Sequence, residues 1–345
     1  MENPTIDHSL IDLEKLNSLL GWMFISMKEG LISVIVLDKE SNKIASLVKD
    51  DENELVFDEV DEYILRAIKF MFTDSDSVGT MTIDTKHYRL LLSEAGTDNV
   101  LILVAEKRLT LEYLFPYIFL CSEKVTRVLN GQVVSPIIPN LQTKIEEHNE
   151  PFGALSEILL KEGSFSMKMV LCGDSGVGKT TLVAQFIDEE FKTDFKSTIG
   201  VSIMSKSVSF PIWRTTADLM IYDMAGQDQF ESVRSTYYLN AKAGFLVYDI
   251  TSRESFNNIE TWVDEVKESA PGVMLFLIGN KVDLKEKRCV SKEEGMKLAE
   301  KLQIPFMETS ALIKGLVDET FRIIAFSFIS RGRIARIRSL PENKV

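Results

Sequence analysis

The sequence predicts two unlike halves: an α+β domain over residues 1–130 and an α/β domain with a mostly parallel sheet over residues 166–332. A linker over 131–165 joins them, and a basic tail covers 333–345. Three observations carry this. A short apolar run, a glycine-rich loop and an amphipathic stretch follow one another from Met167 to Ile187. Further apolar runs end in polar motifs at Asp223 and Asn280, as strands do that meet a ligand at their C-terminal ends. The first half instead shows two strand-like runs, Leu31–Leu37 and Lys43–Val48, joined by a polar turn.

The first half reads as follows. Ser9 to Leu20 has helical period, with Leu10, Leu13, Leu16 and Leu20 on one face. The hairpin comes next, then a helix from Asp58 to Phe72 that aligns Val60, Ile64, Ile68 and Met71. Strands follow near Gly79–Ile83, His87–Leu92 and Val100–Ala105, then a helix over Leu111–Leu129. This order, α-β-β-α-β-β-β-α, together with the hairpin, resembles the roadblock/longin group of profilin-like domains. The resemblance implies a regulatory or dimerising module, with a homodimer through this half, and no catalytic constellation is visible in it. Pro136, Pro139, Glu146, Glu147, Pro151 and Gly153 mark the polar linker, and a short helix is expected over Ala154–Glu162.

Hydrophobic residues make up 45% and charged residues 26%, values ordinary for a globular chain that folds around a core. Residues 1–165 hold 28 acidic and 15 basic side chains, so the whole net charge of −13 falls in this part. That excludes nucleic acid as its partner. The acid run from Asp50 to Glu62 reads as a solvated loop and helix start, where carboxylates are favoured. Cys121, Cys172 and Cys289 are far apart, and His8, His87 and His148 are scattered. Neither set has metal or disulfide spacing, which fits a reducing, cytoplasmic setting.

In the second half, Gly173-Asp174-Ser175-Gly176-Val177-Gly178-Lys179-Thr180 is a phosphate-binding loop. Its glycines let successive backbone N–H groups face the phosphates, and the helix N-terminus adds positive charge. Lys179 reaches the β- and γ-phosphates, the Thr180 hydroxyl binds Mg²⁺, and Thr181 completes the loop's contacts. Asn280-Lys281-Val282-Asp283 follows the run Val273–Gly279. A carboxylate at Asp283 accepts from the N1–H and amine of guanine and would be left unpaired by adenine. The Lys281 stem lies along the ring. A strand over Ile304–Glu308 leads into Thr309, Ser310, Ala311 and Leu312, whose backbone meets the guanine carbonyl. Between these motifs stand Thr198-Ile199-Gly200 and Asp223-Met224-Ala225-Gly226-Gln227, the latter after the strand Leu219–Tyr222. Asp223 and Thr198 are the remaining metal ligands, the Gly226 N–H approaches a γ-phosphate, and Gln227 orients the attacking water. Phe191 reads either as an edge-on stack against the guanine or as a core aromatic.

These five motifs resemble, in order and spacing, those of Ras-superfamily small GTPases. The segments Gly226–Phe230, Ser235–Tyr238 and Val247–Thr251 look like the Rab branch. The resemblance covers about residues 166 to 330 and implies a P-loop NTPase fold with a six-stranded, mostly parallel sheet. It further implies GTP and GDP states, Mg²⁺ as cofactor, slow intrinsic hydrolysis, and effectors, an exchange factor and a GTPase-activating protein as partners. Vesicle trafficking or related membrane signalling is the implied setting. The intact set Lys179, Thr180, Thr198, Asp223 and Gln227 argues against a nucleotide-locked scaffold.

There are departures from the family pattern. Ile203 stands where Rab proteins usually carry an aromatic, Tyr222 replaces the usual Trp before Asp223, the hairpin around Pro211–Arg214 is a few residues longer, and Leu312 replaces a common Lys. No Arg lies between Phe191 and Thr198, so no built-in arginine finger is expected. The chain ends without a cysteine to prenylate, and its start is neither a myristoylation site nor a signal peptide. Arg331, Arg333, Arg336 and Arg338 follow a helix expected from Leu316. They read as favourable charge at a helix end, with peripheral contact to an anionic membrane as the other reading.

Overall fold

The computed structural model describes residues 12–27, 29–49, 55–73, 80–138, 163–187, 201–210, 215–224, 226 and 231–338. The chain divides into two compact units, Met1–Glu150 and Pro151–Val345.

The first unit contains α1 (Leu13–Met27), β1 (Leu31–Asp38), β2 (Lys43–Val48), α2 (Leu55–Thr73), β3 (Thr80–Asp84), β4 (Tyr88–Glu94), β5 (Asn99–Glu106) and α3 (Leu111–Leu129). Its five strands lie in the order β2-β1-β5-β4-β3, with every pairing antiparallel. Strand β1 is buried throughout and β5 nearly so, because helices cover both faces. Val60, Ile64, Ala67, Ile68 and Met71 of α2 pack with Ile35, Leu37, Leu92, Ile102 and Val104. Helices α1 and α3 pack on each other and on β2, β4 and β5.

Two expectations change here. The first helix ends at Met27, not Leu20, and its buried face is Leu16, Leu19, Leu20, Met23 and Met27. The Asp12 carboxylate accepts from the Lys15 N–H at 2.9 Å and fixes the start. Leu13 then falls on the outer side, 47% exposed, while Leu10 lies outside the described residues. The stretch 131–138, expected as the beginning of a linker, is folded onto this unit. Val134 and Ile138 are buried. The buried Lys124 ammonium donates to the carbonyls of Ser135 at 2.9 Å and Ile137 at 2.7 Å, and the Ser26 hydroxyl donates to that of Ile138. Three carbonyls that a linker would leave to water are thereby satisfied. The helix expected over Ala154–Glu162 lies outside the described residues.

The second unit contains β6 (Gly163–Cys172), α4 (Lys179–Ile187), β7 (Val201–Phe210), β8 (Thr215–Met224), α5 (Glu231–Tyr238), β9 (Ala243–Asp249), α6 (Arg253–Asn257), α7 (Ile259–Ser269), β10 (Met274–Asn280), α8 (Lys292–Leu302), β11 (Phe306–Glu308) and α9 (Lys314–Arg338). Its six strands run β11-β10-β9-β6-β8-β7, parallel except for the antiparallel edge strand β7. Strands β9 and β10 are continuous apolar runs buried along their whole length, as expected of a parallel sheet covered on both faces. On one face α4 and α9 meet through Phe186 stacked on Phe321 at 4.0 Å, with Phe245 edge-on to Phe321. On the other, Tyr238, Trp262, Val263, Val266 and Ala299 cover Val170, Leu246, Tyr248 and Leu277. Burying each such side chain stabilises the fold by about 1.5–3 kcal/mol.

The ladder pairs Leu171 with Asp223, Cys172 with Leu246, and Asp249 with Asn280. The C-terminal ends of β6, β8, β9 and β10 therefore end level, along one edge. Helix α9 continues to Arg338, so Arg333, Arg336 and Arg338, expected in a tail, belong to the helix; residues 339–345 lie outside the described residues. Among the described residues no helix is long and apolar enough to cross a membrane.

Candidate functional site

Strand β6 stops at Cys172 and α4 starts at Lys179, with the loop 173–178 between them. Gly173 and Gly178 have φ of +136° and +99°, conformations that other residues rarely adopt. Space closes the argument. A Cβ on Gly173 would lie 2.1 Å from the Val247 carbonyl oxygen, and one on Gly178 would lie 2.3 Å from the Asn280 amide nitrogen. The loop is thus pressed against the ends of β9 and β10.

Lys179 is buried, and its ammonium donates to the carbonyls of Gly173 at 2.6 Å and Asp174 at 2.7 Å. Burial pushes its pKa down to about 8, against the pull of the nearby Asp223 charge. The Thr180 hydroxyl donates to the Asp223 carboxylate at 2.6 Å. The two expected metal-holding oxygens that are described therefore stand side by side. Both are hard oxygen donors, a set that suits Mg²⁺ completed by phosphate and water. The backbone of Gly226 lies so close to the loop that a Cβ there would be 2.4 Å from the Gly173 carbonyl oxygen.

The base motif is tied to the same loop. Asn280 is fully buried. Its amide donates to the Val177 carbonyl at 2.8 Å and its carbonyl oxygen accepts from the Ala311 N–H at 3.2 Å. Its side chain therefore braces three loops. Lys281 adopts φ +69° and donates to the Gly176 carbonyl at 2.8 Å, with Asp249 as its ion pair at 2.7 Å. Asp283 is exposed and accepts from the Ser310 hydroxyl. The Val282 N–H donates to the Thr309 carbonyl and the Thr309 N–H to the Gly279 carbonyl, which joins the two base loops to β10. Leu312 is 62% exposed, and its N–H donates to the Ser310 hydroxyl. Ser175 and Gly176 are exposed at the mouth of the cradle, and Thr181 is half-buried on the first turn of α4.

Phe191, Thr198 and Gln227, and the hairpin around Pro211–Arg214, lie outside the described residues. Ile203 is exposed and Tyr222 lies 6.3 Å from Tyr237, ring to ring. Two features were not found by sequence reasoning. The Asp174 side chain, expected simply to line the cradle, accepts from Asn258 and Trp262, both at 2.8 Å. Arg234 of α5 forks onto Glu265 of α7.

Comparison with known proteins agrees with this arrangement. Residues 168–329 match the Ras family. The Ras-related protein RGP2 of Oryza sativa subsp. japonica is 40% identical over 178 residues, covering 50% of this chain and 81% of that protein. Ras-related protein Rab-13 of Canis lupus familiaris is 42% identical over 159 residues, covering 46% of this chain and 77% of its own length. Ras-related protein Rab-8B of Homo sapiens is 39% identical over 174 residues, covering 50% and 83%. With the P-loop, the base loop and the six-stranded sheet in one unit, the chain belongs to the Ras superfamily, as a Rab-like small GTPase that hydrolyses GTP.

Proposed function

We propose that the second unit is a GTP-operated switch of membrane trafficking in which Asp283 selects guanine and Lys179 holds the β- and γ-phosphates. The observation that carries this reading is the bracing of the base loop against the phosphate loop. Asn280 and Lys281 each donate to a P-loop carbonyl, so one rigid frame holds both ends of a guanine nucleotide. Thr180 and Asp223, with Thr198, hold Mg²⁺, which when bound neutralises charge on the β- and γ-phosphates. The Lys179 ammonium supplies a second positive charge there. The Gly226 N–H faces the γ-phosphate, and Gln227 orients the attacking water. The backbone of residues 173–178 lines the phosphates, Lys281 and Phe191 flank the ring, and Ser310, Ala311 and Leu312 close its carbonyl side. Loss of the γ-phosphate frees the loops of Thr198 and Gly226, and effectors distinguish the two states. An exchange factor and a GTPase-activating protein set the rates from outside, on a protein held at a membrane periphery by its partners.

The first unit, residues 1–130 of a roadblock/longin-like fold, serves on this reading as a regulatory or dimerising module. Its element order and five-stranded antiparallel sheet between helices support that assignment. The test is competition for a fluorescent GDP analogue, paired with single-turnover hydrolysis of GTP by wild type and Gln227→Leu. Displacement by GTP and GDP but not ATP, with slowed turnover in the variant, is expected. Equal displacement by ATP, or equal turnover, would overturn the respective role.

A further inference from the structure

Asp174 puts a negative charge into a loop that attracts phosphates, a placement that opposes binding on charge alone. Both of its oxygens are taken up elsewhere, at the junction of α6 and α7. Oδ1 accepts from the Trp262 indole N–H and Oδ2 from the Asn258 side-chain amide, each at 2.8 Å. The two donors stand one turn apart, with the Trp262 backbone N–H on the Asn258 carbonyl at 3.2 Å, so they meet the carboxylate as a pair. Asn258 occupies the N-cap position of α7, yet its side chain makes no capping bond. An asparagine there ordinarily caps its own helix; here its amide goes to the loop.

The Trp262 ring is fixed on its face as well as at its edge. The residue is buried, and the Arg234 guanidinium lies 4.5 Å from the ring centroid. That guanidinium is itself forked onto Glu265 at 2.6 and 2.9 Å, which sets the ring's tilt through a planar partner. The main chain of Asp174 is held too, its carbonyl accepting from the Lys179 ammonium at 2.7 Å. Side chain and backbone of this one loop residue are therefore both tied.

We propose that Trp262 and Asn258 are positioning residues for the nucleotide, anchoring the first half of the phosphate loop through the Asp174 carboxylate so that bound nucleotide leaves slowly. The inference rests on the proposed reading of residues 173–178 as the phosphate cradle. Hydrogen bonds to a charged acceptor are about twice as strong as neutral ones, and a loop fixed before its ligand arrives loses less freedom on binding. Anchor and charge pull in opposite directions. If the charge dominated, removing it would speed association and slow release; if the anchor dominates, release accelerates.

The experiment follows association and release of a fluorescent GDP analogue on the full-length chain, with thermal melts alongside. Asp174→Ala is expected to release it at least about tenfold faster, with an association rate within about threefold of wild type. Trp262→Phe, which keeps a ring under Arg234 and removes only the donor, is expected to move the same way by a smaller factor. Asp174→Asn retains an acceptor for the indole and lets the Asn258 amide turn over to meet it, so it is expected to recover most of the loss. The double variant Asp174→Ala/Trp262→Phe is expected to match Asp174→Ala alone within about threefold, because the ring acts through the carboxylate. In nitrogen-15 spectra the indole signal that Trp262→Phe abolishes is expected to shift in Asp174→Ala and return in Asp174→Asn. Release at or below the wild-type rate in Asp174→Ala, or an indole signal that it leaves unmoved, would overturn the proposal. Should Asp174→Ala fail to fold, Trp262→Phe and Asn258→Ala decide on the same release criterion. Lys179→Ala separates the two readings: if it binds the analogue normally, the cradle reading falls, whereas its loss of binding beside a wild-type Asp174→Ala sinks the anchor alone.

Discussion

The two units each bury a lysine, and the use they make of it differs. Lys124 in α3 and Lys179 at the start of α4 both aim a buried ammonium at two backbone carbonyls. In the first unit those carbonyls belong to a strap, 131–138, that closes the fold. In the second they belong to a loop at the C-terminal edge of a parallel sheet, where strands, helix N-terminus and base loop converge. The first unit uses polar groups of α1 and α3 for stitching: Tyr117 to Ser26, Thr126 to Ser122, Lys124 to the strap. The parallel sheet gathers them at one edge, in Lys179, Asp223, Asp249 and Asn280. A buried charge marks function where its partners line a cradle, and architecture where they close a chain end.

Exchanging each lysine for alanine tests that contrast most directly. Lys179→Ala removes a charged partner of the phosphates and is expected to weaken GTP binding by about 2–5 kcal/mol, or about thirtyfold to several thousandfold. Lys124→Ala is expected to leave GTP binding unchanged while lowering the stability of the first unit by about 3 kcal/mol. Nucleotide titration and differential hydrogen exchange check the pair, and a loss of GTP affinity in Lys124→Ala would erase the distinction.

Asp283→Asn sharpens the contrast within the second unit, since it alters reading of the base and leaves the frame. It is expected to weaken GTP about ten- to a hundredfold and to admit xanthosine triphosphate, as measured by competition binding.

The depressed Lys179 pKa gives a smaller, graded effect. Phosphates raise that pKa again, so binding takes up a proton wherever the amine is neutral in the free protein. GTP affinity is therefore expected to be flat below pH about 8 and to fall by up to about tenfold per unit as pH rises through 8. Calorimetric proton uptake at pH 9 checks the sign, and affinity that rises over that range would contradict it. The smallest effect belongs to the rim. Because Leu312 is largely exposed, Leu312→Lys is expected to change GDP affinity by less than about 0.5 kcal/mol.

Much of this was readable from the residues. The bounds expected for β2, α3 and α4 coincide with those observed, since each is marked by local signals: a polar turn, a Thr110 cap, a glycine loop. Strand β6 was expected from Met167 but begins at Gly163, because its first residues are held by pairing with Thr215 and its neighbours, a non-local choice. Helix α1 was expected to end at Leu20, before Gly21. A glycine in an open position costs a helix only about 1 kcal/mol, which the burial of Met23 and Met27 exceeds. The strap belongs to the expected linker through Pro136 and the polar run that follows it, and only distant partners, Lys124 and Ser26, reveal that its carbonyls are satisfied and Val134 and Ile138 buried. In the site, residue types and spacing pointed to the cradle and to Asp223 beside Thr180. The partners of Asp174 lie 84 and 88 residues away, and no local pattern carries that information.

The close approach of Gly178 to Asn280 has one more consequence. With 2.3 Å between a Cβ at Gly178 and the Asn280 amide nitrogen, the phosphate and base loops cannot slide past one another. On the proposed reading the site is a ruler as well as a lock: it gauges the length from purine to phosphate. A guanine ligand with a spacer inserted between ribose and phosphates would satisfy one end only, however well each end fitted alone.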